Sequence, residues 1–146
     1  MKKTILYFLA LSMMISCQET RGPDETLRNF ITYRFAGRQE ISKVKSYLTG
    51  KLLDKVSLFT QKEQESFLDT KGLSNKGFKI LLRKCSDTLC NITYQLKYAK
   101  SDQGKTDFLG EVKKIAELTL IGESSWKISN IEEVKTYFEY KKALDL

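Results

Sequence analysis

The chain has 146 residues and a formal charge of +7, with 25 basic against 18 acidic side chains. That length holds one domain with a workable core and leaves no room for a second. The charges are interspersed, as in Lys43, Lys45, Lys51, Asp54 and Lys55, which is how a solvated helix face reads, with attraction to anionic lipid headgroups as the alternative and nucleic acid excluded as a partner. Histidine is absent, so Ser-His-Asp and Cys-His nucleophile systems and histidine-ligated zinc are excluded. No Gly-rich phosphate loop is present either. No cofactor is expected, and a catalyst would have to be built from Asp, Glu, Tyr or Lys.

At the start of the chain, Lys2 and Lys3 precede an apolar run from Thr4 to Ile15. As a helix it would span only ~18 Å, well short of a ~30 Å hydrocarbon core, so it reads as the apolar region of a secretory leader. The following Met14-Ile15-Ser16-Cys17 resembles the lipobox of bacterial lipoproteins, with methionine where leucine is usual. The resemblance implies cleavage before Cys17, a thioether-linked diacylglycerol on Cys17, and a further acyl chain on the new amino terminus, which together hold a protein to a membrane. Gln18 is not the aspartate that retains lipoproteins at the inner membrane in enteric-type sorting, so a periplasm-facing outer-membrane address is expected. Residues 1–16 are thus read as the leader, 17–23 as a lipidated tether and 24–146 as a single α+β domain. Gln18 to Gly22 can reach at most ~18 Å.

After the tether, Leu27, Phe30, Ile31 and Phe35 follow the spacing of one helical face. Pro23 suits the first turn and Gly37 the exit. A second amphipathic piece carries Ile41, Val44, Tyr47 and Leu48 and stops at Gly50, followed by Leu52, Leu53, Val56 and Phe59. Thr60-Gln-Lys-Glu63 forms a capping box ahead of Phe67 and Leu68. Three or four short helices are expected.

Beyond Gly77 the period changes. Phe78-Ile80-Leu82 predicts a strand, and Ile92, Tyr94, Leu96 and Tyr98 alternate with polar residues as in a half-buried second strand. Asp102-Gln-Gly104 predicts a turn, Phe108 to Ile121 a long third strand that Gly110 could kink, and Gly122 to Ser125 a turn into a fourth strand at Trp126. The tail from Ile131 is open between continued strand and a helix capped by Asn130 and Glu133; strand is favoured because the fourth strand needs length to pair with the third. Short helices packed on a curved antiparallel sheet of about four strands give an α+β domain. With Phe30-Ile-Thr-Tyr-Arg-Phe-Ala-Gly37, Lys45-Ser-Tyr-Leu-Thr-Gly50 and Trp126-Lys-Ile128, this order resembles the nuclear transport factor two superfamily, the cystatin-like cone. That resemblance spans about Asp24 to Tyr140 and implies a cone-shaped fold without supplying catalytic residues.

Cys85 and Cys90 flank the expected first hairpin turn, where an oxidising compartment would join them. If they sit opposite one another, Arg83, Leu81 and Lys79 fall beside Ile92, Tyr94 and Leu96, and the apolar Phe78, Ile80 and Leu82 face the other side. A bulge between Leu82 and Cys85 is expected to restore a common apolar face. Four intervening residues do not match a thioredoxin-type redox pair.

Three functions follow. The first is a non-catalytic binding or accessory lipoprotein in which Tyr94, Tyr98 and Trp126 line an apolar pocket, unless they are simply core aromatics. The second is a protein-interaction subunit or inhibitor of an envelope complex, favoured by an exposed apolar patch. The third resembles ketosteroid isomerase of the same fold and would need Glu117 pointing inward beside a tyrosine; alternation with Leu118 predicts that Glu117 faces solvent. The expected partners are membrane lipid, through acylated Cys17, and a small apolar ligand or an envelope protein.

Overall fold

The computed structural model describes residues 21–140. The leader, the lipobox with Cys17 and most of the tether lie outside the described residues, as does the end of the domain after Tyr140. Among the described residues four helices come first: α1 (Pro23–Arg34), α2 (Ile41–Lys45), α3 (Gly50–Ser57) and α4 (Gln61–Leu68). They are followed by β1 (Leu73–Cys85), β2 (Leu89–Asp102), β3 (Lys105–Ile121) and β4 (Ser125–Tyr140). All neighbouring strands pair antiparallel in the order β1-β2-β3-β4. The fold is α+β, with the helices packed on one face of the sheet.

Local signals place the helix ends. Pro23 occupies the first turn of α1, where its missing N–H costs nothing, and the capping box at α4 is complete in both directions between Thr60 and Glu63. Gly50 closes the α2 region with φ +52° and opens α3. The segment between α2 and α3 is pinned to the sheet: Ile128 N–H donates to Tyr47 O at 2.8 Å and Thr49 N–H to Ile128 O at 2.9 Å. That short parallel bridge satisfies the start of β4 along its outer edge.

The core lies between the helices and the inner sheet face. Leu27, Val44 and Val56 from the helices meet Ile92, Ala116, Leu118 and Ile128 from the sheet, all essentially inaccessible to solvent. Strand alternation delivers this: Cys90, Ile92, Tyr94 and Leu96 are buried and Asn91 and Lys97 are exposed. The tail resolves as strand, since β4 continues to Tyr140 and pairs with β3 along its length.

Cys85 and Cys90 stand directly opposite, their sulfurs at disulfide distance and their Cα atoms 4.0 Å apart. The expected bulge exists but lies earlier: the register slips between Ile80 and Leu82, at Leu81, and not between Leu82 and Cys85. Leu82 is therefore excluded from the apolar face and is 51% exposed. The physical reason is Arg83. Opposite Ile92 it falls on the helix side, and its guanidinium meets Asp24 at the start of α1 at 3.1 Å, so the inner face tolerates a charge there and the slip can wait until Leu81. Gly110 does not kink β3, whose pairing with β2 runs through it unshifted. Its function is steric: an added Cβ would lie 2.4 Å from Tyr98 Cζ, so glycine is what lets the Tyr98 ring lie flat on the strand.

Candidate functional site

The helices are too short to cover the sheet. Twelve residues of α1 give a rod of ~18 Å, whereas the seventeen of β3 extend over ~55 Å. Packing is therefore dense toward the β3–β4 turn and opens toward the other end of the strands. At that transition lies a cavity of about 530 Å³. Its helical wall comes from Phe30, Ile31 and Phe35 of the α1 region, Leu48 and Leu52, and Phe67 of α4. Its floor is the inner sheet face, with Leu96, Val112, Ile131 and Phe138.

One polar cluster interrupts these apolar walls. In β3 the inward phase runs Val112, Lys114, Ala116, so alternation aims Lys114 into the cavity, between Tyr94 of β2 and Glu133 of β4. Lys114 Nζ lies 3.6 Å from Glu133 Oε2. The register between β3 and β4 slips at Val134, and this extra residue puts Glu133 and Thr136, three apart, on the same face. Thr136 Oγ1 donates a short hydrogen bond to Glu133. That hydroxyl is the main reason the Glu133 carboxyl sits below its ordinary range; desolvation opposes it and the Lys114 charge adds to it.

Two tyrosines border the cluster. Tyr94 is 1% exposed, packs its ring against Phe78 at 5.5 Å, and makes no side-chain hydrogen bond among the described residues. Its hydroxyl opens onto the cavity without a partner, and burial of the residue raises its pKa. Tyr98 is half-buried, and its phenol is raised first by burial and then by the Glu133 charge. At the rim, Arg34 lies over the Phe67 ring at 4.3 Å and donates to Gln39 Oε1 at 2.7 Å and Phe67 O at 2.6 Å. Burial lowers its pKa. Gln39 Nε2 in turn donates to Leu68 O and Thr70 Oγ1, so the ends of α1 and α4 are latched together beside the opening.

Of the three aromatics expected to line one pocket, Tyr94 and Tyr98 do so and Trp126 does not. Trp126 lies opposite Leu120 beside the β3–β4 turn, while Phe138 of the cavity is near the other end of β4. An aromatic ring with a polar edge suits a pocket wall wherever it stands, and only the pairing of β3 with β4 shows that Trp126 is at the other end of the sheet from the cavity mouth. Glu117 is on the outer face, paired with Asn91 and Asn130, and accepts a hydrogen bond from Ser129 Oγ at 2.7 Å. Sequence reasoning missed Lys114 and Glu133. The signal for Lys114 was present, a lysine in the apolar phase of a strand. Glu133 carried none, because two register slips in β4 had to be known first.

Chemically, a cavity of this kind can surround an apolar body and satisfy one or two polar atoms on it. Among the described residues no group of three or more His, Cys, Asp or Glu could hold a metal ion, and no helix is long and apolar enough to cross a membrane. No protein-family model matches the chain, and no curated protein matches it.

Proposed function

We propose that the protein is a bacterial envelope lipoprotein, tied to the membrane through Cys17, whose domain binds a small, largely apolar ligand. The observation that carries the binding role is the cavity of about 530 Å³ between the helix layer and the sheet, a size that suits a ligand of drug-like dimensions. Its polar cluster supplies orientation: the unpartnered Tyr94 hydroxyl and the Lys114 ammonium are donors for an oxygen on the ligand. The leader and lipobox support the envelope address, and the disulfide-distance pair agrees with an oxidising compartment. Helices before a four-stranded antiparallel sheet support the likeness to the cystatin-like cone.

A binding role is favoured over an isomerase-like one by Glu133. A carboxylate general base is useful when its pKa is raised toward the working pH, and this one is lowered by the Thr136 hydroxyl. Glu117 is on the wrong face to serve. The protein-interaction reading has its own support in Phe138 and Tyr140, 50% and 61% exposed beside the cavity mouth. Protein purified from its native envelope in mild detergent, then analysed by native mass spectrometry and solvent extraction, separates the two. A stoichiometric apolar small molecule is the expected result. A stable protein partner with an empty cavity would transfer the assignment to the interaction reading.

A further inference from the structure

A second concavity, of about 410 Å³, lies at the opposite end of the domain from the open mouth, where the β3–β4 turn meets α1 and α2. Its character is the reverse of the first. Arg21, Lys43 and Lys127 border it, with hydroxyls from Ser46, Ser124 and Ser125 and the ring of Trp126. Lys43 and Lys127 have no carboxylate partner among the described residues: Lys43 lies over the Tyr47 ring at 5.5 Å, and Lys127 donates to the Ser46 carbonyl. The acidic side chain that faces a groove cation is Glu25, 3.7 Å from Arg21. Thr26 also borders this groove; its residue is 7% exposed and its hydroxyl makes no side-chain hydrogen bond among the described residues.

Chain length says where this groove must be. From Cys17 to Arg21 there are four peptide steps, at most ~14 Å. If Cys17 carries the acyl chains, the groove cannot leave the headgroup layer, where basic residues and tryptophan are favoured.

We infer that this groove binds the phosphate of an anionic phospholipid headgroup, with Lys43, Lys127 and Arg21 supplying charge, Thr26 a hydroxyl at the groove wall, and Trp126 a ring at the interface. The anchored domain would then be held in one orientation, groove to the membrane and cavity mouth away from it. This inference rests on the reading of Cys17 as the lipid-bearing residue.

Trp126 is the chain's sole tryptophan, so its fluorescence reports this groove. The experiment places the full mature protein, its Cys17 modification first read by mass, on vesicles of phosphatidylcholine alone or with phosphatidylglycerol, each containing a headgroup-labelled quencher lipid. At least threefold stronger quenching is expected on phosphatidylglycerol, lost in Lys43→Gln/Lys127→Gln and kept in Lys105→Gln at the far end of β3. Lys43→Gln alone, and the isosteric Thr26→Val, should each lower it in part, should the double variant fold poorly. Equal quenching on both vesicles, or full quenching in the charge variants, overturns the inference. So does an emission shift with millimolar inorganic phosphate that matches the vesicle effect, which would make this a site for a soluble phosphate. An unmodified Cys17 defeats the anchor alone, and the same protein added to vesicles from solution still tests the groove.

Discussion

The two ends of the inner sheet face are built from the same strands and differ in what covers them. Toward the β3–β4 turn, Leu118 and Ile128 are sealed by Leu27, Val44 and Val56, each 1% exposed or less. Toward the β2–β3 turn, Tyr98, Phe108, Phe138 and Tyr140 stack edge to face or tilted against one another, with ring centroids 5.3 to 6.4 Å apart, and Tyr98 and Phe138 line the cavity. The difference teaches that stability and binding are separated along one sheet. The helices make a solid core at one end, and the excess strand length makes an aromatic-lined opening at the other.

The sharpest way to break this contrast is to truncate one residue at each end. Leu27→Ala should cost about 3 kcal/mol in urea unfolding, as a fully buried leucine does, whereas Phe138→Ala, already half exposed, should cost less than about 1 kcal/mol. Equal losses would mean that the open end is as much core as the closed one. Next in size is the cysteine pair at the closed end. Cys85→Ser with Cys90→Ala should lower stability by about 2 kcal/mol, the chain-entropy value for so short a loop, and reductant should have no further effect on the double variant. Gly110→Ala tests the open end by overfilling it. The new methyl must displace the Tyr98 ring, costing about 1 to 2 kcal/mol and changing ligand affinity more than Phe138→Ala does.

The smallest effect is that of pH on the polar cluster. Because the folded-state pKa of Glu133 is depressed from its ordinary 4.5, its contribution to stability is present above that value and is lost as pH falls through the lower folded value. Glu133 is largely exposed, so the term is small. The gap between wild type and Glu133→Gln in unfolding midpoint should be measurable at pH 7 and shrink steadily as the pH is taken below 4.5. A gap that widens on acidification would reverse the sign argued here.

Much of the fold was legible because period alone separates helices from strands. The capping box at Thr60, the turns at Gly104 and Gly122 and the alternation of β2 are local signals, and each stands where it was read. The register was legible only in part. A bulge was required by the parity of Cys85, Cys90 and the apolar residues, but its position depended on Arg83 meeting Asp24, a contact 59 residues apart in the chain. The site was half legible for the same reason. Tyr94 and Tyr98 share one strand and one face, so the sequence pairs them. Trp126 and Glu133 sit on β4, whose two slips hide both face and depth until its pairing with β3 is known.

The central claim is that the gap between the short helices and the long sheet is a ligand cavity. A neutral, apolar fluorescent probe titrated into the protein addresses it directly, with Leu52→Trp placing an indole in the cavity wall and Leu58→Trp, at a side chain 84% exposed, as the control. Saturable one-site binding by wild type and Leu58→Trp, and at least tenfold weaker binding by Leu52→Trp, is the predicted result. No saturable binding by wild type, or equal binding by all three, would contradict the account.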